Sequence, residues 1–456
     1  VTAHRQISKK QNLTLFLLVL FLGLISACRL GSPKRPNVIL IVVDTLRADH
    51  LSSYGYFRKT TPFIDELSRD SVIFKNAISS APWTTPSLAS LFASRYPAAL
   101  GYEGEEPIEL DESFVTLAEV FKHNRYINKG IVSHDYISSK LKFDQGFDSY
   151  NQTNARGYGY VSSPSVTNLA VSFLNSHKKE KFFLFLHYFD PHYDFILHKE
   201  FDYYPDYHGS LQSGEYLDSL LAKAPTMSAD DLKYLNAVYD SEISFTDMHI
   251  GRLLKELKRL GLYDSALIIF TSDHGEEFAE RGDYWIGHTK KLYQEQIHVP
   301  LIIKLPGNKK KKVINEYVGL VDLMPTIVGH FGLKTPAGYI CIGQRIDLKG
   351  NAEPESRAII SDTRRWAKLQ SVIWKNWKLI YDQQKDTKEL YDLKNDPLEA
   401  QNLAAKNPQR LAEIQDILKR WQEQIVLIKS EYKITTKRPD FSEEEKRRLR
   451  SLGYIK

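Results

Sequence analysis

A chain of 456 residues, 42% hydrophobic and 26% charged, has the balance of a globular protein and the length for one large domain plus a smaller one. Its net charge of +5 is spread along the chain, so no nucleic-acid partner is expected. Only two cysteines, Cys28 and Cys341, exclude a disulfide framework and a zinc-thiolate site, which leaves oxygen and imidazole as metal ligands.

Taken in order, Arg5, Lys9 and Lys10 precede an apolar run at 13–25, then Ser26, Ala27 and Cys28. Basic, apolar and small residues in that order predict an export signal over 1–28, and the run is short for a membrane span. Ile25-Ser26-Ala27-Cys28 resembles a bacterial lipobox, which implies cleavage before Cys28 and a lipid on its sulfur. Ordinary cleavage or an uncleaved anchor are the alternatives. Either way the body is expected outside the cytoplasmic membrane, in a bacterial cell envelope.

Residues 37–43 are apolar and mostly β-branched, predicting a buried parallel strand that ends at Asp44. Helices are predicted from 61 and over 115–122, and strands over 127–132 and 182–188, the latter leading to Asp190-Pro191-His192. In Ala81-Pro82-Trp83-Thr84-Thr85-Pro86, Pro86 fits the first position of a helix over 87–94 and Thr85 its N-cap. A helix start favours anions, so two hydroxyls there are candidates to meet a phosphate or sulfate group. Residues 203–221, rich in Tyr, Asp and Ser, are expected to form a long loop near a site mouth. A long amphipathic helix from 230 precedes a buried strand at 266–271 that ends in Ser272-Asp273-His274-Gly275-Glu276. Another strand is expected at 299–303 and a solvated turn at 309–312. Beyond 343, short alternating segments predict a small antiparallel sheet, then an amphipathic helix at 408–424 and a helix or surface strap at 442–450. Strands alternating with helices argue for an α/β fold. The expected division is a catalytic domain at 36–345 and a C-terminal subdomain with its tail at 346–456.

Ligands in open α/β sheets gather at the carboxyl ends of strands, which is where Asp44, His192 and the pair Asp273-His274 fall. Two carboxylates, an imidazole and the Thr84 hydroxyl form an oxygen-rich set suited to one divalent cation. Such a cation would acidify the hydroxyl and neutralise charge building on a transferring group.

The blocks at 37–49, 81–97, 182–192, 240–276 and 293–306, with Glu389-Leu390-Tyr391-Asp392-Leu393 and Asn395-Asp396-Pro397, resemble the sulfatase family of the alkaline phosphatase superfamily. The resemblance implies a mixed central sheet flanked by helices, with a smaller C-terminal antiparallel sheet and helix. It implies Asp44, Thr84, Asp273 and His274 as metal ligands, Thr84 as nucleophile, and His192 as a contact to the transferring group or leaving oxygen. His288 matches a further active-site position, and Lys290 and Lys291 lie near a basic substrate contact. Arg47 is implied as a structural or charge-balancing partner.

The departures are as informative. The usual nucleophile is Cys or Ser converted to formylglycine, with Pro two places on and Arg four places on; here the positions hold Thr84, Pro86 and Leu88. The methyl on the Thr84 β-carbon bars formylglycine. Thr45 replaces a second aspartate, His274 replaces an asparagine, and the basic Gly-Lys-Trp-His block has its nearest counterpart in Gly130-Ile131-Val132-Ser133-His134. These residues resemble the Thr-nucleophile phosphotransferases of the superfamily and favour Mn²⁺ or Zn²⁺, with Ca²⁺ as the alternative. The expected activity is hydrolysis or transfer of a phosphoester, phosphodiester or phosphonate through Thr84. The alternatives are sulfuric ester hydrolysis and an inactive envelope lipoprotein that binds an anionic glycan or headgroup.

Overall fold

The structure, a computed structural model, describes residues 35–451 except 105, 158, 193–194, 351–356, 433 and 435–436. The export signal and Cys28 lie outside the described residues. Everything below concerns the unit Asn37–Lys456.

Strand β1 (Val38–Val43) is buried along its whole length because all six residues are apolar and both faces are covered. It sits inside an eight-stranded sheet with β2 (Val72–Ile78), β3 (Ile127–Ile131), β4 (Ser149–Asn151), β5 (Phe182–Tyr188), β6 (Leu267–Ser272), β9 (His298–Lys304) and β10 (Lys312–Gly319). The short pair β7 (Glu277–Phe278) and β8 (Ile286–Gly287) lies apart from it. The order is β10-β2-β9-β6-β1-β5-β3-β4, and β9 alone runs against the others, so the carboxyl ends of β1, β2, β5 and β6 share one edge. Val43 pairs with Tyr188 on one side and Ser272 on the other. That register sets Asp44, one residue on, beside Asp273.

The helix Ala229–Arg259 is held at its start by a capping box between Ser228 and Asp231. The residues before it depart from the expected long loop. Leu217–Lys223 is helical, and Tyr204 and Tyr207 turn their hydroxyls to Asp230 and Asp231 at the start of the long helix. Tyr207 also stacks on Tyr234 with ring centroids 3.8 Å apart, so these aromatics pack on their own domain. Lys312, expected in a turn, opens β10.

The C-terminal sheet is antiparallel, β11 (Ile359–Thr363), β12 (Leu369–Trp374), β13 (Trp377–Asp382) and β14 (Thr387–Asp392). The helix Pro408–Glu431 covers it through Ile414, Leu418, Trp421 and Ile425. Strand β11 is stitched to the segment after β2. Ser361 Oγ donates to Ser79 O (2.6 Å) and the Asp362 amide to Ser80 O (3.0 Å). Among the described residues no helix is long and apolar enough to cross a membrane.

Candidate active site

Four strand ends deliver the site. The turn after β2 leads into the helix Thr84–Ala93, which starts two residues earlier than the proline signal indicates. Trp83, extended at φ −160°, is the N-cap, and no side chain caps the helix. Pro86 sits in the first turn, where its missing N–H costs nothing, so it does not mark the first position. Thr85 is therefore not the cap: its hydroxyl donates to Tyr136 O at 2.9 Å. Ser87 Oγ donates to Asp273 O at 2.6 Å and fastens the helix to the end of β6.

Thr84 Oγ1 lies 3.3 Å from His274 Nε2. The same nitrogen is 3.5 Å from Asp44 Oδ1 and 3.4 Å from Asp273 Oδ2. His274 Nδ1 faces Gly275 O at 3.0 Å, which makes Nδ1 the donor and leaves the Nε2 lone pair facing the carboxylates. A Cβ on Gly275 would meet Glu295 O at 2.1 Å, so only glycine allows the two backbones to approach this closely. Asp273 Oδ1 accepts the amides of Thr45 and His274, which aims Oδ2 into the site.

Asp44, Asp273 and His274 are fully buried, and their ligand atoms lie within 4.8 Å of one another. Both carboxylate oxygens of Asp44 and Asp273 Oδ2 are buried with no hydrogen-bond donor among the described residues. Burial, then the neighbouring Asp273 charge, holds the Asp44 carboxyl well above the ordinary range. Orphaned acidic oxygens converging with an imidazole lone pair fit a divalent cation.

His192 and His288 reach the same region. The His288 ring lies 4.5 Å from that of His274 and 5.1 Å from that of His192, centroid to centroid, and its Nδ1 is 3.2 Å from Glu276 Oε1. Burial keeps both imidazoles neutral, lowering His192 well below the usual range and His288 to about 3. The lysines are placed otherwise. Lys291 Nζ is tied to Glu277 (2.5 Å) and Asp283 (2.7 Å), which consumes its charge. Lys290 Nζ lies 3.4 Å from the centroid of Trp285 and lines a cleft of about 310 Å³ with Tyr293, Trp366 and Glu389. Arg47 pairs with Asp49 and Glu280, a charge-balancing arrangement beneath the site.

Two neighbours escaped the sequence reading. His187, inside β5, places Nε2 3.4 Å from Asp44 Oδ2, and burial lowers it to about 4. A polar residue in an otherwise apolar buried strand was its signal, because burying such a group costs free energy and calls for a reason. Arg365, just beyond β11, is 1% exposed and lies over Trp83 with its guanidinium 4.9 Å from a ring centroid. Nothing in its local sequence marks it.

Residues 36–333 match the family model described as Sulfatase, and residues 282–428 the one described as N-sulphoglucosamine sulphohydrolase, C-terminal. An ulvan-active sulfatase of Formosa agariphila is 27% identical over 354 residues, 71% of this chain and 67% of the relative. Iduronate 2-sulfatase of Homo sapiens is 28% identical over 414 residues, covering 70% of this chain and 74% of the relative. Among solved structures, a 2-O GAG sulfatase superposes with TM-score 0.70 at 20% identity, covering 92% of this chain and 96% of the other. A phosphonate monoester hydrolase of Agrobacterium radiobacter superposes with TM-score 0.66 at 20% identity, covering 87% and 96%. At such identities the superpositions speak for the fold.

Proposed function

Because this chain belongs to the sulfatase family of hydrolases, we propose that it cleaves a phosphoester, phosphodiester or phosphonate by attack of Thr84, without formylglycine. The observation that carries this reading is the Thr84 hydroxyl 3.3 Å from Nε2 of His274, which itself converges with Asp44 and Asp273. Sulfatase-family enzymes use a divalent metal ion, and in our reading Asp44, Asp273, His274 and Thr84 hold it, with Mn²⁺ or Zn²⁺ favoured by the nitrogen ligand and Ca²⁺ as the alternative. Such an ion supplies Lewis-acid charge at the reacting centre.

The chain's own residues do the rest. Thr84 Oγ1 sits on a helix whose start is bound to Asp273 O through Ser87, so the nucleophile is held in place before substrate arrives. Attack forms the Oγ1–phosphorus bond and breaks the bond to the ester oxygen, the Thr84 proton passing through solvent to the departing alcohol; water then attacks the same phosphorus, the Oγ1–phosphorus bond breaks, and a proton of that water restores the hydroxyl. An acceptor alcohol in place of water makes the reaction a transfer. His192, kept neutral by burial, acts as an N–H donor to the oxygens that gain charge and not as a proton-releasing acid, while His288, its Nδ1 facing Glu276, packs beside it.

A sulfuric ester is the second reading, favoured by the names of the curated relatives, an ulvan-active sulfatase and an iduronate 2-sulfatase among them. One panel separates the readings: aryl sulfate, phosphate monoester, phosphodiester and phosphonate, each with Mn²⁺- or Zn²⁺-loaded wild type and Thr84→Ala. Thr84→Ala is expected to lower turnover of the preferred substrate at least about a thousandfold. Equal rates in the two proteins would remove Thr84 from the reaction, and turnover of the sulfate alone would establish the second reading. We propose in addition that the protein is exported and tethered through Cys28, a reading carried by the N-terminal sequence. Labelling of the wild type but not of Cys28→Ala with a fatty acid is the expected result.

A further inference from the structure

Strand β11 reaches both walls of the site. It is bound to residues 79 and 80, which lead to Thr84, and Thr363 Oγ1 donates to Thr289 O (3.0 Å), the residue after His288. Two residues on, Arg365 is buried, its guanidinium 4.9 Å from the ring centroid of Trp83, 5.5 Å from that of Tyr136 and 4.7 Å from that of Trp366. Trp83 directly precedes the nucleophile, and the Tyr136 carbonyl receives the Thr85 hydroxyl. Trp366, the outer wall of this aromatic box, stands at φ +59°, a left-handed conformation that a large side chain adopts only under constraint from its surroundings.

We propose that Arg365 is an anion-binding residue of this enzyme, receiving the phosphate, phosphonate or sulfate oxygens of the substrate beside Thr84. The proposal rests on the reading of this site as an ester-cleaving centre and adds to it the group that recognises the substrate's charge. A planar guanidinium offers two parallel N–H donors to a tetrahedral oxyanion, and stacking on aromatic faces fixes its plane in advance. Packing alone gives a weaker account, since filling an aromatic box does not call for a buried charge next to a histidine cluster.

The test uses the full chain loaded with Mn²⁺ and titrated calorimetrically with inorganic phosphate and with inorganic sulfate, for wild type, Arg365→Gln and Arg365→Lys. Arg365→Gln is expected to weaken binding of the preferred anion about tenfold or more, and Arg365→Lys to recover part of it. Wild-type affinity in Arg365→Gln, or no anion bound by wild type, would overturn the proposal. Should Arg365→Gln fail to fold, wild-type crystals soaked in orthovanadate decide: an anion oxygen within hydrogen-bond distance of the guanidinium is expected, and an anion at Thr84 out of its reach would overturn it. Wild-type turnover by Thr84→Ala would sink the nucleophile reading instead, and the anion titration would then still decide Arg365.

Discussion

At position 84 the methyl group on a threonine β-carbon closes the aldehyde route and leaves a hydroxyl 3.3 Å from His274 Nε2. Its neighbours set the electrostatics. Asp44 and Asp273 bring two carboxylates into a dry site, an arrangement that costs stability until a cation joins it. Asp44→Asn is therefore expected to raise the melting temperature of chelator-stripped protein by several degrees while abolishing its response to added Mn²⁺, both read by calorimetry. A lower melting temperature in the stripped variant would show that Asp44 is held by something other than a cation. Asp44, Thr84, Asp273 and His274 were legible because each stands at a strand end or helix start in a spaced block. His187 and Arg365 were not: one is hidden within an apolar strand, and the other is brought in by a sheet whose docking no local pattern encodes.

Among the elements, the nucleophile helix shows how a sequence signal is displaced. Pro86 marks the first turn, and the choice of position within that turn falls to contacts distant in sequence, Thr85 with Tyr136 and Ser87 with Asp273. The small sheet is equally dependent on its neighbour. Asp362 on β11 is fully buried, and burial pushes its carboxyl up to about 7 from 3.8, with Arg364 opposing. Between those two values the folded protein keeps a proton that the unfolded chain has released, so stability falls as pH rises through the window. Asp362→Asn does not titrate, and its stability relative to wild type is expected to climb from about pH 4 to about pH 7, reaching on the order of 2–4 kcal/mol. Denaturant midpoints measured across that range check it; parallel curves would place the Asp362 carboxylate in a better-solvated setting.

Across the large sheet, seven strands share a direction and β9 opposes them, so the ends of β1, β2, β5 and β6 collect at one edge. The layered α/β class was readable from runs of buried strands alternating with helices, and the sulfatase family from spaced blocks. The strand order was not, because it depends on pairings across more than two hundred residues, such as β1 with β6. The proposed metal site belongs to this scale too, since Asp44, Thr84 and the pair Asp273-His274 come from three separate segments of the chain. Adding Mn²⁺ or Zn²⁺ at about a hundred times its dissociation constant to stripped protein is expected to stabilise the fold by about 2.7 kcal/mol, roughly 3 °C in melting temperature. A melting temperature indifferent to chelator and metal would contradict the cation site.

The central claim is that a threonine, unconverted, carries the transferred group. Acid quenching of the metal-loaded wild type during turnover of its preferred substrate, followed by peptide mass spectrometry, tests it directly. The account predicts an unmodified Thr84 before substrate is added and a phosphoryl, phosphonyl or sulfuryl adduct on Thr84 during turnover. Turnover with the adduct on another residue would contradict it.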